Sequence, residues 1–245
     1  MTLLIEQRTL WRRATRLGAL VLVLLATGCA SVPGASTVRN DPWEHTNRKI
    51  FAFNEAVDAA AIKPAAQIYQ KLVPSLVRSG ISNVFGNLAD GWTSVNLMLQ
   101  AKPQQSLNML IRTALNTTLG LAGLLDVAEE AGLERTGYED LGQTLGVWGV
   151  GSGPYIVLPL FGPSTVRDAV GKVLDSRESG AGMLLSEPRE RNSATLLQLL
   201  DVRVSLFPAE KFLNEIALDK YVLVRDAYLA RRRSLIYDGD PPESD

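Results

Sequence analysis

Residues 107–125 read L-N-M-L-I-R-T-A-L-N-T-T-L-G-L-A-G-L-L. Leu107, Leu110, Ile111, Ala114, Leu115, Thr118, Leu121, Ala122 and Leu125 recur three or four apart, the spacing of one face of a helix. Asn108, Arg112, Thr113 and Asn116 fall on the opposing face. The same period extends to both sides. Upstream, Val77, Ile81, Val84, Phe85, Leu88, Trp92, Val95 and Leu99 form a longer stripe that ends before Pro103, with Gly86 and Gly91 allowing a bend. A shorter helix is predicted from Pro64 through Ile68 and Leu72 to the break at Pro74. Before it, Asp41 can cap a first helix, with Pro42 at its first position and Glu44 three residues on. Its apolar face is Trp43, Ile50, Phe53, Val57 and Ala61. Downstream, Ser164 offers a cap for a face of Val166, Ala169, Val170, Val173 and Leu174. Two or three more helices fit 178–233, with Leu196, Leu197, Leu200 and Val204 on one and Tyr221, Val224, Arg225 and Tyr228 on the last. The expected class is all-α.

One segment departs from this pattern. Gly142 to Pro163 reads G-Q-T-L-G-V-W-G-V-G-S-G-P-Y-I-V-L-P-L-F-G-P, and its six glycines interrupt any regular helix. Tyr155 to Phe161 is apolar, but Pro159 argues against an uninterrupted central strand. Close-packed loops or short broken elements are expected. The glycines do not make a phosphate loop, because neither G-x-x-x-x-G-K-[ST] nor a strand-to-helix G-x-G-x-x-G is present. Gly151-Ser152-Gly153 lacks the outer glycines of a G-x-S-x-G elbow, since Val150 and Pro154 stand there.

Composition narrows the classes further. The 245 residues hold 25 Lys plus Arg against 26 Asp plus Glu, so the chain lacks the basic surplus of a nucleic-acid binder. One Cys and one His exclude an internal disulfide framework and make a His/Cys metal cluster implausible. Pairs such as Glu129 and Glu130 read as a solvated helix end rather than an acid/base pair.

The first residues add a location. Arg8, Arg12, Arg13 and Arg16 precede the apolar run 17–26, the layout of an export signal, and that run is shorter than the roughly 20 residues of a membrane span. Ala26-Thr27-Gly28-Cys29 follows and resembles the bacterial lipobox, in which the cysteine is diacylated, the preceding segment removed and the new amino group acylated. An uncleaved anchor would share this layout. The sole cysteine standing where lipidation needs it favours the lipoprotein reading. Residues 1–28 are accordingly a signal peptide, and the diacylglyceryl and N-acyl groups, palmitate among such chains, are expected on Cys29 with no other cofactor. Ala30 stands where an inner-membrane retention signal would place Asp, which points to the outer membrane. Four basic residues and one acid lie before Cys29, so the 217 residues that remain carry a formal charge of about −4. Acyl chains rather than charge must hold such a chain on lipid. Residues 29–40, with Pro33 and Gly34, read as an acylated tether, and 234–245 as an acidic flexible tail.

Periodicity alone does not say whether an apolar face meets protein or lipid, and by itself it favours a core. Asn47, Asn54, Asn96, Asn108 and Asn116 supply uncharged hydrogen-bonding groups that could line a polar passage or serve as caps and exposed positions.

Several blocks together carry a resemblance. D-P-W-E-H-T-N-R-K-I-F-A-F-N at Asp41 to Asn54, R-T-A-L-N-T-T-L-G-L-A-G-L-L-D-V-A at Arg112 to Ala128, the whole of Gly142 to Asp168, and D-K-Y-V-L-V-R-D-A-Y at Asp219 to Tyr228 resemble the MlaA (VacJ) family of outer-membrane lipoproteins. The resemblance covers 41–233. It implies a compact, mostly helical, disc-like body embedded largely in the periplasmic leaflet beside a trimeric porin. It also implies removal of phospholipid misplaced in the outer leaflet, delivery to a soluble periplasmic carrier, and no catalysis. Several stripes should then face lipid or porin. By block, Asp41, Pro42, Trp43, Glu44 and Asn47 should fix entry from the tether, and Phe51, Phe53 and Asn54 should lie near the passage. Arg112, Asn116, Gly120 and Gly123 should supply part of its wall. Gly142, Gly146, Gly149, Gly151, Gly153, Pro154 and Pro159 should shape a loop whose Trp148 and Tyr155 sit at an interface. Arg167 and Asp168 read as a local ionic or capping pair, and Arg225 similarly. A lipoprotein that bridges porin and periplasmic assembly without conducting lipid is the alternative, and a phospholipid hydrolase lacks a credible nucleophile and base.

Overall fold

A computed structural model describes residues 41–178, 185 and 187–242, all within the unit Arg39–Asp245. The signal, Cys29 and the tether lie outside the described residues, as do 243–245 of the tail. In chain order the elements are α1 (Glu44–Val57), a π-helical turn (Asp58–Ile62), α2 (Lys63–Leu72), α3 (Ser75–Leu99), α4 (Pro103–Thr118), α5 (Val127–Glu130), α6 (Leu141–Val147), β1 (Tyr155–Leu158), β2 (Gly162–Thr165), α7 (Val166–Glu178), α8 (Pro188–Ser205), α9 (Phe207–Ile216) and α10 (Lys220–Ile236). The protein is mostly helical, and no described helix is long and apolar enough to cross a membrane.

Several helices follow the expected periodicity, with corrections at their ends. α1 begins at Glu44 and has no side-chain cap at Trp43; Asp41 is buried and turned to other work. α3 runs through Gly86 and Gly91 without interruption. α4 stops at Thr118, seven residues before the stripe does. There Leu121, Ala122 and Gly123 take left-handed conformations, and a Cβ on Gly120 would stand 2.2 Å from the Leu125 carbonyl oxygen. Two glycines thus convert a helical pattern into a reversal. Thr165 rather than Ser164 serves the start of α7, its Oγ1 accepting from the Asp168 amide at 3.2 Å. α10 continues to Ile236, and Asp238 beyond it is held by Lys102 at 2.5 Å.

Burial reverses the usual assignment of helix faces. On α4 the inward residues are Ser106, Met109, Arg112 and Asn116, while Leu107 and Leu110 are each 54% exposed. On α7, Arg167, Asp168 and Asp175 are buried, and Val166, Val170, Val173 and Leu174 are exposed. α3 buries Asn87, Asp90, Thr93, Ser94 and Asn96 with Leu97. Among the described residues 20 buried side chains are polar or charged and 9 are hydrophobic, so the interior is held by hydrogen bonds more than by oil. Small apolar clusters remain, one of Ala66, Tyr69 and Val204, another of Tyr155, Val157 and Tyr221. The stripes in 107–125 and 166–174 are therefore outer surfaces, as the family resemblance implies and the bare periodicity does not.

The glycine-rich segment resolves into α6, a loop and an antiparallel hairpin with Tyr155 opposite Thr165 and Leu158 opposite Gly162. Pro159 sits in the turn, outside both strands, where its missing N–H costs no ladder bond.

Candidate functional site

The edge of β1 is covered by side chains instead of a third strand. Asn47 donates to the Tyr155 carbonyl at 3.1 Å and accepts from the Val157 amide at 2.9 Å. Two helical turns on, Asn54 donates to the Leu158 carbonyl at 3.0 Å and accepts from the Leu160 amide at 2.8 Å. Each carboxamide satisfies one donor and one acceptor of the edge, which would otherwise stay open. A seven-residue spacing keeps both on one face of α1. Asp41 orients the first of them, accepting from Asn47 at 2.8 Å, and its other oxygen takes the Tyr221 hydroxyl and Arg225 at 3.4 Å. Burial, then the Asp41 charge, pushes the Tyr155 hydroxyl up to about 12.

Beside this clamp lies a cleft of about 420 Å³, bounded by α1, the π-helical turn, the hairpin tip, α8, α9 and α10. Its apolar wall includes Phe51, Ile62, Leu160, Leu199 and Leu213. Asp58, Lys63, Arg203 and Glu210 also line it, joined in one chain of ion pairs: Arg203 Nε to Asp58 2.7 Å, Arg203 Nη2 to Glu210 2.6 Å, and Lys63 to Glu210 2.8 Å. Burial pushes the Glu210 carboxyl up, but hydrogen bonds from Lys63 and Arg203 outweigh it and hold it below the usual range. Paired charges beside an apolar wall make an amphipathic surface at low desolvation cost. The hairpin tip adds Leu160 and Phe161, 60% and 77% exposed.

A second group of expected residues gathers at α6, α7 and α10. Arg167 and Asp168 pair at 2.9 Å, and Asp168 also accepts from Tyr228 at 2.7 Å and Arg232 at 3.0 Å. Burial pushes Asp168 up, yet Arg232, Tyr228 and Arg167 hold it below its ordinary value. Gly142 and Gly171 bring α6 and α7 together so closely that a Cβ on Gly171 would stand 2.6 Å from the Gly142 nitrogen. The loop residues Gly149, Gly151 and Gly153 are exposed, and the Pro154 carbonyl accepts from the Val166 amide at 3.1 Å.

The third group stands apart from both. Arg112, wholly buried, donates twice to Asp126 at 2.9 and 2.7 Å and once to the Leu133 carbonyl. Asn116 donates to Asp126 at 2.9 Å and accepts from the Ala128 amide at 2.9 Å, and Gly123 packs on Asn87. These contacts pin the 119–135 segment to the α3–α4 pair, and both ends of the Asn116 amide are engaged within the protein.

Two aromatics differ in setting. Trp148 is 57% exposed, its indole N–H donating to the Leu99 carbonyl at 2.9 Å, whereas Tyr155 is fully buried against Tyr221 and Tyr228. An interface role is thus open to Trp148 and closed to Tyr155. Phe53 and Trp43 are half exposed, Pro42 is exposed, Phe51 packs edge-on to Tyr221 at 5.6 Å, and Glu44 pairs with Arg48 at 2.8 Å. No motif singles out Arg203, Glu210 or Arg232, and Asp58 reads only as a polar position off the apolar face of α1; the available signal is charge placed at helical spacing inside otherwise apolar stretches. Among the described residues no group of three His, Cys, Asp or Glu side chains is placed to hold a metal.

A helical body with a polar interior, a broad apolar exterior and amphipathic clefts defines a class, that of proteins whose outer faces are covered by a membrane or by another protein. Known proteins supply the narrower assignment. Residues 39–235 match the family model "MlaA lipoprotein". The chain is 36% identical over 229 residues to the intermembrane phospholipid transport system lipoprotein MlaA of Escherichia coli K12, covering 92% of this chain and 90% of the relative. The protein of the same description from Haemophilus influenzae is 29% identical over 242 residues, covering 94% and 93%. A solved structure described as the structural basis for maintenance of bacterial outer membrane lipid asymmetry is 33% identical, with a TM-score of 0.72 and coverage of 81% of this chain and 100% of that one. The chain belongs to the MlaA lipoprotein family.

Proposed function

We propose that the protein is an outer-membrane lipoprotein, acylated at Cys29, that takes mislocalised phospholipid from the outer leaflet through an amphipathic passage and hands it to a soluble periplasmic carrier, beside a trimeric porin. The observation that carries this reading is the inverted burial: polar groups inside, Leu107, Leu110, Val170 and Val173 outside, in a chain whose relatives are described as phospholipid transport lipoproteins.

The physical problem suits this architecture. A two-tailed phospholipid has roughly 30 methylenes, and exposing them to water at about 0.8 kcal/mol each costs on the order of 20 kcal/mol. Carrying a bare headgroup through hydrocarbon is also costly. The cleft bounded by Phe51, Leu199 and Leu213 offers tails an apolar wall, while the Asp58–Arg203–Glu210–Lys63 chain gives a zwitterionic head both signs of charge. No bond is made or broken. Removal of lipid by the carrier gives direction.

The test is transfer of labelled phospholipid from vesicles holding the acylated protein and porin to the carrier. Ala209 lines the cleft and is exposed, so Ala209→Trp fills it without crowding the interior. Transfer falls while helicity and porin association persist. Unchanged transfer removes this cleft from the route, and intact binding to both partners without any transfer supports the bridging alternative.

A further inference from the structure

A second cleft, of about 500 Å³, lies between the glycine-rich loop after α6 and the last turns of α10. Arg167, Arg232 and Arg233 all line it, and none of its lining residues among those described is acidic. Two of these arginines are built into the fold. A Cβ on Gly146 would stand 3.0 Å from Arg167 Nη1, and one on Gly142 would stand 2.8 Å from Arg232 Nη2, so glycine makes room for both guanidiniums. Asp168 and Asp140, which do not line the cleft, hold them in place: Arg167 Nε to Asp168 2.9 Å, Arg232 Nη1 to Asp140 2.5 Å. Arg233 donates to the Pro242 carbonyl, a neutral partner, and has no ion pair among the described residues. Arg232 Nε is buried and has no hydrogen-bond partner among the described residues. Beside these cations, Leu229 and Ile236 give the cleft an apolar part.

Guanidinium forks match phosphate oxygens, and an apolar wall next to them matches the carbon atoms that follow. We propose that this cleft binds the phosphate of a phospholipid headgroup, Arg233 taking its oxygens beside the carboxylate-paired Arg167 and Arg232, and the apolar residues the glycerol and first methylenes. The inference rests on the lipid-handling reading above and adds a chemical preference to it: the cargo is recognised by its phosphate. Inorganic phosphate offers the same oxygens without the apolar part.

The experiment uses the full acylated chain in amphipol, titrated calorimetrically with dihexanoyl phosphatidylglycerol, inorganic phosphate and dihexanoylglycerol. The phospholipid binds, inorganic phosphate binds more weakly, and the phosphate-free lipid does not bind. Arg233→Gln lowers phospholipid affinity about tenfold, the loss of one charge-assisted hydrogen bond. Gly151 lines the cleft, has open space around its Cβ position and no left-handed backbone, so Gly151→Val obstructs the cleft with the fold intact and lowers affinity as well. Equal binding of the two lipids, or unchanged affinity in both variants, overturns the proposal. Inorganic phosphate binding as tightly as the phospholipid overturns the lipid assignment in favour of free phosphate. Transfer measured on the same preparations keeps the two readings separate. Transfer without binding here refutes the headgroup cleft alone, and binding here without transfer refutes the passage alone.

Discussion

Replacing Asn47 by Ala strips the buried part of the β1 edge. The Val157 amide loses its acceptor at 2.9 Å and the Tyr155 carbonyl its donor at 3.1 Å, both in a region where Tyr155 is 0% and Val157 3% exposed. Each buried backbone group left unpaired costs about 1–3 kcal/mol, so the pair amounts to about 2–6 kcal/mol. That is a large share of the roughly 5–15 kcal/mol that holds a domain folded. Asn54→Ala removes the same two kinds of bond at the hairpin tip, where the Leu160 amide is exposed and water replaces the lost partner. Its cost falls to about 1 kcal/mol. Chemical denaturation in micelles measures the difference, and hydrogen exchange at the Val157 and Leu160 amides localises it. Equal destabilisation by the two variants, or undiminished protection of the Val157 amide in Asn47→Ala, would refute the edge-cover argument.

Three other outcomes follow from the same geometry. Leu110→Asp, on the outward face of α4, leaves helicity intact but weakens membrane retention by about 2.5–3.5 kcal/mol if the site lies at hydrocarbon depth, whereas Met109→Asp on the inward face prevents folding; vesicle flotation and circular dichroism separate the two. Arg112→Met takes from Asp126 its buried cation at 2.7 Å, while Arg135 still holds Asp90 at 2.8 Å, and costs about 3 kcal/mol, read as a lowered denaturation midpoint. Asp168, held below the ordinary carboxylate range, contributes stability that is fully present above the unfolded value near 3.8 and is lost as pH falls through its lower folded value. Asp168→Asn therefore flattens the acid limb of a stability-against-pH curve.

Helix positions were legible in the sequence because a 3.6-residue period survives whichever way a face turns. The direction was not. Leu107 and Leu110 are spaced alike in a soluble bundle and at a lipid surface, and the burial of Ser106, Met109, Asn116 and the Arg112–Asp126 ion pair shows which side is inside. The 142–163 segment was legible as broken structure, but not as α6 and a hairpin, because the hairpin is completed by Asn47 and Asn54 more than 100 residues away. Those asparagines were visible as unusual. Their i, i+7 spacing was the clue to a shared target, and no local rule names that target. The end of α4 is hidden in the sequence because Leu121 and Leu125 keep helical spacing across a reversal that depends on Gly120 and Gly123.

The interior dominated by Asn, Asp, Arg and Thr has a calorimetric consequence. Solvating apolar area raises the heat capacity of an unfolding chain and solvating polar area lowers it, so this protein's increment falls below the usual 12–15 cal/mol/K per residue, a general figure. Its stability curve is correspondingly shallow, and chilling takes little from a fold that depends so weakly on the aversion of water for oil.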